Sequence, residues 1–320
     1  MRSAAGTILI KICEFALTAL LVSFFTFIAF SVIPGDPARV MLGTDASEEQ
    51  VENLRAELGV DRPLSVRYLD WLGGALKGDL GDSLSFRTPV NELIKSRLPV
   101  TLGMSLMALI IVLIVAFPMA AVCASRPGSL TDRIVSAFGH VLFAVPAFAL
   151  SMLLILLFTK AFGIYTAGRY TAPSDDAGKY IASLLLPSVC IALPKIAMTF
   201  KFLRASMIEF SASDFARTAK SHGLTDLKIL LTHIIPNSAV SSVTVISLVL
   251  SDIMGGSLIV EQVFNLPGLG RLLLSAISRR DFPLLSGIVF YLALITVILY
   301  FLSDVINAAI DPRIRDGRSL

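Results

Sequence analysis

The sequence has few charged residues, and it lacks the short motifs that hold a nucleotide or build a hydrolytic site. Charged side chains make up 16% of the 320 residues, whereas soluble domains contain roughly a quarter. No G-x-x-x-x-G-K-[ST] loop is present to hold phosphates, and neither H-E-x-x-H nor G-x-S-x-G occurs. These absences argue against a soluble domain and against an enzyme, so we expect no catalytic residues.

Cysteine is also scarce. Cys13, Cys123 and Cys190 all lie in apolar stretches, without a C-x-x-C pair, metal-ligand spacing or a disulfide framework. We interpret them as small core residues. We therefore expect this chain to hold neither a metal ion nor a cofactor.

Apolar residues, by contrast, make up 55% of the chain and occur in long runs. A membrane-spanning helix needs about 20 such residues. Six runs approach that length: 15–33, 98–125, 134–159, 180–203, 234–251 and 282–303. The first run exceeds the roughly 7–15 residues of a signal-peptide core, so we interpret it as a retained helix. The sequence predicts an all-α polytopic membrane protein with about six spans.

Basic residues in short loops indicate the orientation of such a protein. They cluster at both ends of the chain and in the second and fourth loops: Arg2, Lys11, Arg126, Arg133, Lys201, Arg204, Arg217, Lys220, Lys228, Arg313, Arg315 and Arg318. With six spans these segments share one side, which predicts that both termini are cytoplasmic. The segment 35–97 is long and richer in acids, so we expect it outside.

The external segment carries helix signals. Ser47 is a plausible N-cap, and Val51, Leu54 and Leu58 have the i, i+3, i+7 spacing of an amphipathic helix. A second short helix is predicted over 66–76, where the aromatic residues suit a membrane interface. The sequence therefore predicts an external helical segment between spans 1 and 2.

The fourth loop is unusually patterned. Gly223 is a good helix stop and Thr225 can cap a following helix. Helical apolar spacing then continues through Leu227, Leu230, Leu231 and Ile234. Pro236 predicts a boundary, because the residue before a proline disfavours the helical region. Such a helix can lie on lipid or dock in a partner's groove, and its mixed polar face favours docking.

The segment RTAKSHG at 217–223 resembles the E-A-A-x-x-x-G loop of ABC importer permeases, in the variant of the dipeptide/oligopeptide/nickel family. Ala219 and Gly223 match the pattern, while Arg217 and Thr218 stand in place of its Glu and Ala. The I-x-L-P element downstream aligns with His233, Ile235 and Pro236, with His for the first Ile. Further segments resemble the same family in order: IPGDPA, LGVDRPLSVRYLDWL, GDLGDSL, PVNELIKSRLPVTL, VEQVFNLPGLGRLLLSAISRRDFPLL and DVINAAIDPRIR.

The resemblance covers nearly the whole chain and implies a type I ABC importer permease fold. It implies a first span plus external segment over 1–96, a five-span permease core over 97–310 and a cytoplasmic tail over 311–320. The coupling loop, about 204–236, would insert into a cleft of an ATPase subunit. Its candidate residues are Asp214, Arg217, Ala219, Gly223, Leu224, Leu227, Leu230, Leu231 and Pro236.

The resemblance also implies partners. They are a second homologous permease, two cytoplasmic ATPase subunits that bind the ATP, and an extracytoplasmic solute-binding protein, in the inner membrane of a bacterial cell. Membrane lipid surrounds such a subunit, and no nucleic acid is expected. Peptides are the expected cargo, with nickel or a metal–metallophore complex as the alternative.

Two charged residues fall inside predicted spans or at their edge. A carboxylate at mid-membrane costs roughly 2.5–3.5 kcal/mol, so Asp252 should face a partner or a wet cavity. It either lines the translocation path or pairs with Lys195, which can also extend towards the interface. Glu261 and Asp281 are interpreted as supports of the local fold.

Two other classes of function stay open at the level of sequence. A gradient-driven secondary transporter would move its substrate without ATPases. A structural or interaction protein of the membrane would bind partners without transporting anything.

Overall fold

A computed structural model describes residues 4–31, 37–42, 46–59, 61–163 and 168–310. Within these ranges the chain is helical, with no strand and one isolated bridge between Asp82 and Pro89. The α-helices are α1 (Ala4–Ser31), α2 (Pro37–Leu42), α3 (Glu48–Leu58), α4 (Leu64–Leu76), α5 (Val90–Ser125), α6 (Leu130–Ala144), α7 (Ala147–Phe162), α8 (Ala177–Ser211), α9 (Asp214–Ser221), α10 (Asp226–Ile229), α11 (Ile235–Ser241), α12 (Val243–Phe264), α13 (Leu269–Ser278) and α14 (Phe282–Ile310). The predicted tail at 311–320 lies outside the described residues.

Five of the described helices are long and apolar enough to cross a membrane. They are Ile10–Ser31 within α1, Val90–Ser125, Ala177–Ser211, Val243–Phe264 and Phe282–Asn307 within α14. A sixth span results if α6 and α7, which pass the same test together, cross as one bent pair. The predicted all-α polytopic fold with about six spans is confirmed.

The third span differs from the single straight helix expected over 134–159. Its two halves, Leu130–Ala144 and Ala147–Ala161, meet at 103°. Pro146 has no N–H to continue the helical ladder, and Val145 before it has φ −90° and ψ 123°, which is extended backbone. The proline therefore breaks the apolar run into two helices, an effect that hydropathy alone does not register.

The fifth span lies further along the chain than expected. The apolar run predicted for this span covers 234–251, with Asp252 inside the span or at its edge, whereas α12 begins at Val243 and continues through Asp252 to Phe264. Asp252 stays inside the helix because its Oδ2 lies 3.0 Å from Nζ of Lys195. The pairing of the two charges explains why an acidic residue does not end this helix.

The short helices between the first two spans follow their sequence signals. The Ser47 side chain accepts a hydrogen bond from the Gln50 N–H (3.3 Å), and the Gln50 side chain accepts one from the Ser47 N–H (3.0 Å). This reciprocal capping box confirms the predicted start of α3. Val51 is buried as expected, whereas the side chains of Leu54 and Leu58 lie outside the described residues.

Internal contacts divide the described chain into two units. One contains 4–11, 101–266 and 299–310, and the other contains 12–100 and 267–298. The second unit has a compact apolar core that includes Val90, Ile94 and Ile288. Trp71 of α4 packs edge-on against Phe290 with 5.2 Å between the ring centroids, so the short helix α4 joins this core.

Asp281 is the central polar residue of the second unit and is fully buried. Its carboxylate accepts hydrogen bonds from the Ser83 hydroxyl (2.5 Å) and from the N–H groups of Leu84 (3.2 Å), Ser85 (3.0 Å) and Leu284 (3.2 Å). It therefore joins the turn before α5 to the first turn of α14. In the first unit, buried Glu261 accepts a hydrogen bond from Thr101 at 2.6 Å.

We expect Asp281→Ala to destabilise the protein by about 3 kcal/mol, because four donors lose a charged acceptor and three of them are backbone groups. Thermal inactivation in detergent, followed by size-exclusion chromatography, measures this loss. Asp79→Ala is the comparison, since the exposed Asp79 accepts a single hydrogen bond from Gly81. Equal stability of the two variants would contradict the role assigned to Asp281.

Candidate functional site

Helix α9 has one buried face and one charged face. Ala216 and Ala219 are buried, while Asp214 and Arg217 are exposed and form a weak ion pair at 3.6 Å across one helical turn. Phe215 is also exposed, and its ring lies 6.1 Å from that of Phe210. The predicted residues of this helix thus divide between packing and an outward surface.

Gly223 makes the break that follows α9. Its φ of +81° lies in the left-handed region, and a Cβ at this position would meet no atom within 4 Å. The N–H of Leu224 reaches the carbonyl of Ala219 (3.3 Å), the long hydrogen bond of a Schellman ending. Glycine is therefore required by backbone conformation rather than by lack of space, as the sequence predicted.

The helical backbone continues through Pro236, where we expected a boundary. After α10, which Thr225 caps as predicted, residues Leu230–Ile234 form a π-helix that leads directly into α11. Ile235 keeps helical φ and ψ (−59°, −48°) although a proline follows. Because Pro236 has no N–H to donate, a change of helix type accommodates it, and the expected break was wrong.

The predicted leucine stripe is divided between the interior and the surface. Leu230 and Ile234 are buried, together with Ile229, which the helical spacing did not single out. Leu227 and Leu231 are exposed, one turn apart. The helix therefore presents two leucines outward next to the charged face of α9, and Leu224 is half-buried between the helices.

An apolar groove of about 930 Å³ lies beside this segment. One wall is the end of α5 with the following Arg126 and Pro127, and the other includes Ala216, Leu227 and Leu231. Lys220, whose Nζ lies 2.9 Å from the Asp226 carboxylate, stands at the groove as well. We call residues 214–236 the docking segment from here on.

An ion pair that the sequence did not indicate lies at the end of α8. The Nε and a terminal nitrogen of Arg204 donate to the two carboxylate oxygens of Asp132 at 2.5 and 2.6 Å. The sequence identifies Arg204 only as a basic loop residue and assigns no role to Asp132. The pair joins residues 72 positions apart, so no local pattern could reveal it; the only local sign is Ser129, which caps α6 by accepting from the Asp132 N–H.

Lys195 and Asp252 form an ion pair, which was one of the two alternatives predicted for Asp252. Their charged atoms are 3.0 Å apart, yet 47% of the Asp252 side chain is exposed, against 22% for Lys195. Lys195 and Arg204 lie nine residues apart on α8, about 13 Å along the helix axis. One helix therefore carries the mid-span charge pair and leads to the docking segment.

The exposed face of α12 contains Asp252. The exposed residues Thr244, Leu248, Gly255 and Ile259 form a series with it in which each member lies three or four residues from the next. A Cβ on Gly255 or on the neighbouring Gly256 would meet nothing within 4 Å. Within the described chain no neighbouring helix packs closely against these two glycines, and this face is open.

In the described ranges there is no group of three or more His, Cys, Asp or Glu side chains placed to hold a metal ion. The three cysteines are free thiols; Cys123 and Cys190 are buried and Cys13 is exposed.

Two family models match this sequence. Residues 116–316 match the binding-protein-dependent transport system inner membrane component. Residues 7–107 match the N-terminal model of the membrane component of the same systems. Together they extend over the short helices α2–α4, the docking segment and the charge pair of α8 and α12.

Individual relatives are similar over almost their whole length. A provisionally named peptide transport system permease protein of Brucella abortus (strain 2308) is 36% identical over 96% of this chain and 98% of its own. A provisionally named peptide ABC transporter permease protein of Sinorhizobium fredii is 33% identical over 92% and 94%. A glutathione transport system permease protein of Escherichia coli (strain K12) is 33% identical over 93% and 95%.

Proposed function

The chain belongs to the binding-protein-dependent transport system inner membrane components, which are the permeases of ABC importers. We propose that its docking segment couples peptide import to ATP hydrolysis by partner subunits. The observation that carries the proposal is the outward surface of this segment. The exposed charges of α9 lie before the break at Gly223, and the exposed Leu227 and Leu231 lie after it.

This surface suits a protein partner. Burying about 400 Å² of apolar area would contribute on the order of 10 kcal/mol before the cost of association is subtracted. The polar face of α10 carries Asp226 and Lys228 of opposite charge, unlike the basic face that favours anionic lipid. An ATPase cleft therefore fits the segment better than the membrane surface does.

The proposed complex contains this chain, a second homologous permease, two cytoplasmic ATPase subunits that bind ATP and an extracytoplasmic solute-binding protein. Both termini and the docking segment lie in the cytoplasm. Closure of the ATPases on ATP shifts the docking segment and opens the transport path outward, and hydrolysis resets it. The segment is then an element with two positions, biased from a separate site.

Peptides are the proposed cargo. The relatives described above carry peptide or glutathione in their names, which favours peptides over the alternative of nickel or a metal–metallophore complex.

Reconstitution tests the proposal. In liposomes this chain alone should neither hydrolyse ATP nor accumulate peptide, because its sequence has no phosphate-binding loop. Together with the second permease and the ATPases, it should accumulate peptide inside the liposomes. The ATP is enclosed on the side of the ATPase subunits, and the loaded binding protein is added outside. Uptake of radiolabelled peptide and release of phosphate are measured in the same vesicles.

Two controls separate the competing functions. Uphill uptake by the chain alone, driven by a proton or sodium gradient, would establish a secondary transporter and contradict the proposal. A complex that assembles and yet transports neither peptides nor metal complexes would support a structural role instead.

A further inference from the structure

Asp132 is the polar centre of the corner between α5 and α6. Only 3% of its side chain is exposed. Besides the two Arg204 nitrogens, its carboxylate accepts hydrogen bonds from the N–H of Gly128 (2.8 Å) and from the Ser136 hydroxyl (3.5 Å). One side chain therefore ties together the loop after α5, the first turn of α6 and the end of α8.

Arg204 supplies the connection to the docking segment. It lies on α8, seven residues before that helix ends at Ser211, which is about 10 Å of helix axis. Only two residues separate this end from the start of α9 at Asp214, and the Ala212 N–H donates hydrogen bonds to the carbonyls of Ile208 and Glu209. Because the connection is this short and hydrogen-bonded, a displacement of α9 must move the end of α8.

The geometry of the pair is suited to transmitting such a displacement. Two parallel N–H to oxygen bonds fix the guanidinium in the plane of the carboxylate, which a single bond from lysine would not do. Burial strengthens the interaction, and separation of the pair would leave a carboxylate without its cation. The pair therefore resists sliding and rotation of α8 against α6.

A groove lies between the docking segment and the corner that connects α5 to α6. The corner residues Arg126 and Pro127 form one wall and the docking segment forms the other, with about 930 Å³ between them. The docking segment continues back along the chain into α8, and α8 packs against α6. Arg204 and Asp132 form their ion pair at this contact between α8 and α6.

We propose that Asp132 and Arg204 are positioning residues for ATP-driven transport, holding the end of α8 to the start of α6 so that both helices follow the docking segment. The inference rests on the proposed function, since it assumes that the docking segment contacts an ATPase. It assigns a role in energy coupling to a pair outside that segment.

The test uses the full complex carrying Asp132→Asn or Arg204→Lys. Asparagine can still accept from Gly128 but forms no bidentate ion pair; lysine keeps the charge with one fixed bond fewer. We expect the peptide transported per ATP hydrolysed to fall about tenfold for Asp132→Asn and about threefold for Arg204→Lys. The yield of complex and the KM for ATP should stay within about twofold of the unmodified complex, since neither residue contacts nucleotide.

Asp304→Asn provides the matched control. Asp304 pairs with Lys11 at 2.8 Å in the same unit, but this pair is not attached to the end of α8. Its removal should leave the transport-to-hydrolysis ratio unchanged.

The outcomes distinguish failure of this inference from failure of the proposed function. A lowered yield or thermal stability with an unchanged ratio in both variants would make the pair merely structural and overturn the inference. A normal ratio with normal yield would overturn it as well. If the unmodified chain fails to bind any ATPase, the proposed function fails first, and the inference with it.

Discussion

Replacing Gly223 by valine is expected to uncouple ATP hydrolysis from transport while leaving the subunit inserted and assembled. The φ of +81° at this position is open to glycine, whereas a β-branched residue there costs up to about 3 kcal/mol. That cost corresponds to about a hundredfold loss of the native conformation of the break. Transport per ATP, measured in reconstituted complexes, should fall by a similar factor.

Within this chain an added Cβ meets no atom within 4 Å, so the variant strains the backbone without a clash of its Cβ against the subunit itself. Gly223→Asn is the first control, because asparagine tolerates the left-handed region and should keep most of the coupling. Gly163→Val is the second: Gly163 has φ +65° and equally open surroundings, but it ends α7 outside the docking segment. Wild-type transport by the Gly223→Val complex would refute the assignment of the docking segment.

Features set by neighbouring residues were predictable from the sequence. The capping box at Ser47, the Thr225 cap and the Gly223 ending each depend on a few adjacent positions, and the structure has all three. The apolar runs likewise gave the helices that could cross a membrane, because their length is a property of composition.

Features that depend on distant residues were not predictable. The position of α12 follows from the partner of Asp252, which lies 57 residues away on α8. The burial of Ile229 in place of Leu227 follows from how α10 packs, and the π-helix follows from continuing the chain through Pro236. The bidentate pair of Asp132 and Arg204 likewise forms only where α6 and α8 are in contact, and the sequence of either helix does not indicate that contact.

The ion pair of Lys195 and Asp252 combines the two alternatives that the sequence left open. It is a structural contact at 3.0 Å, and its carboxylate is nevertheless about half exposed on an open face of α12. A purely structural pair inside a span would be expected to hide its charge from the surroundings. The exposure of Asp252 therefore favours a position on the translocation path, and we propose this role.

Asp252→Asn should accordingly preserve assembly and change transport. Asparagine still offers a hydrogen-bond acceptor to Lys195, and loss of the charge lowers the cost of membrane insertion. We expect uptake of cationic peptides to fall about tenfold, or ~1.4 kcal/mol, because a half-exposed charge acts in a partly screened environment. Neutral peptides should be affected less. Complex yield and uptake of matched cationic and neutral peptides are measured together.

Two further variants decide between the path and the structural pair. Asp304→Asn removes a carboxylate of nearly equal exposure (48%) from the other ion pair, and it should not alter the preference between cationic and neutral peptides. Lys195→Met combined with Asp252→Asn removes both charges of the pair. If Asp252 lines the path, the double variant keeps the reduced uptake of cationic peptides. If instead the single variant lowers the yield of complex, and the double variant restores yield and uptake in parallel, Asp252 supports the fold and does not line the path.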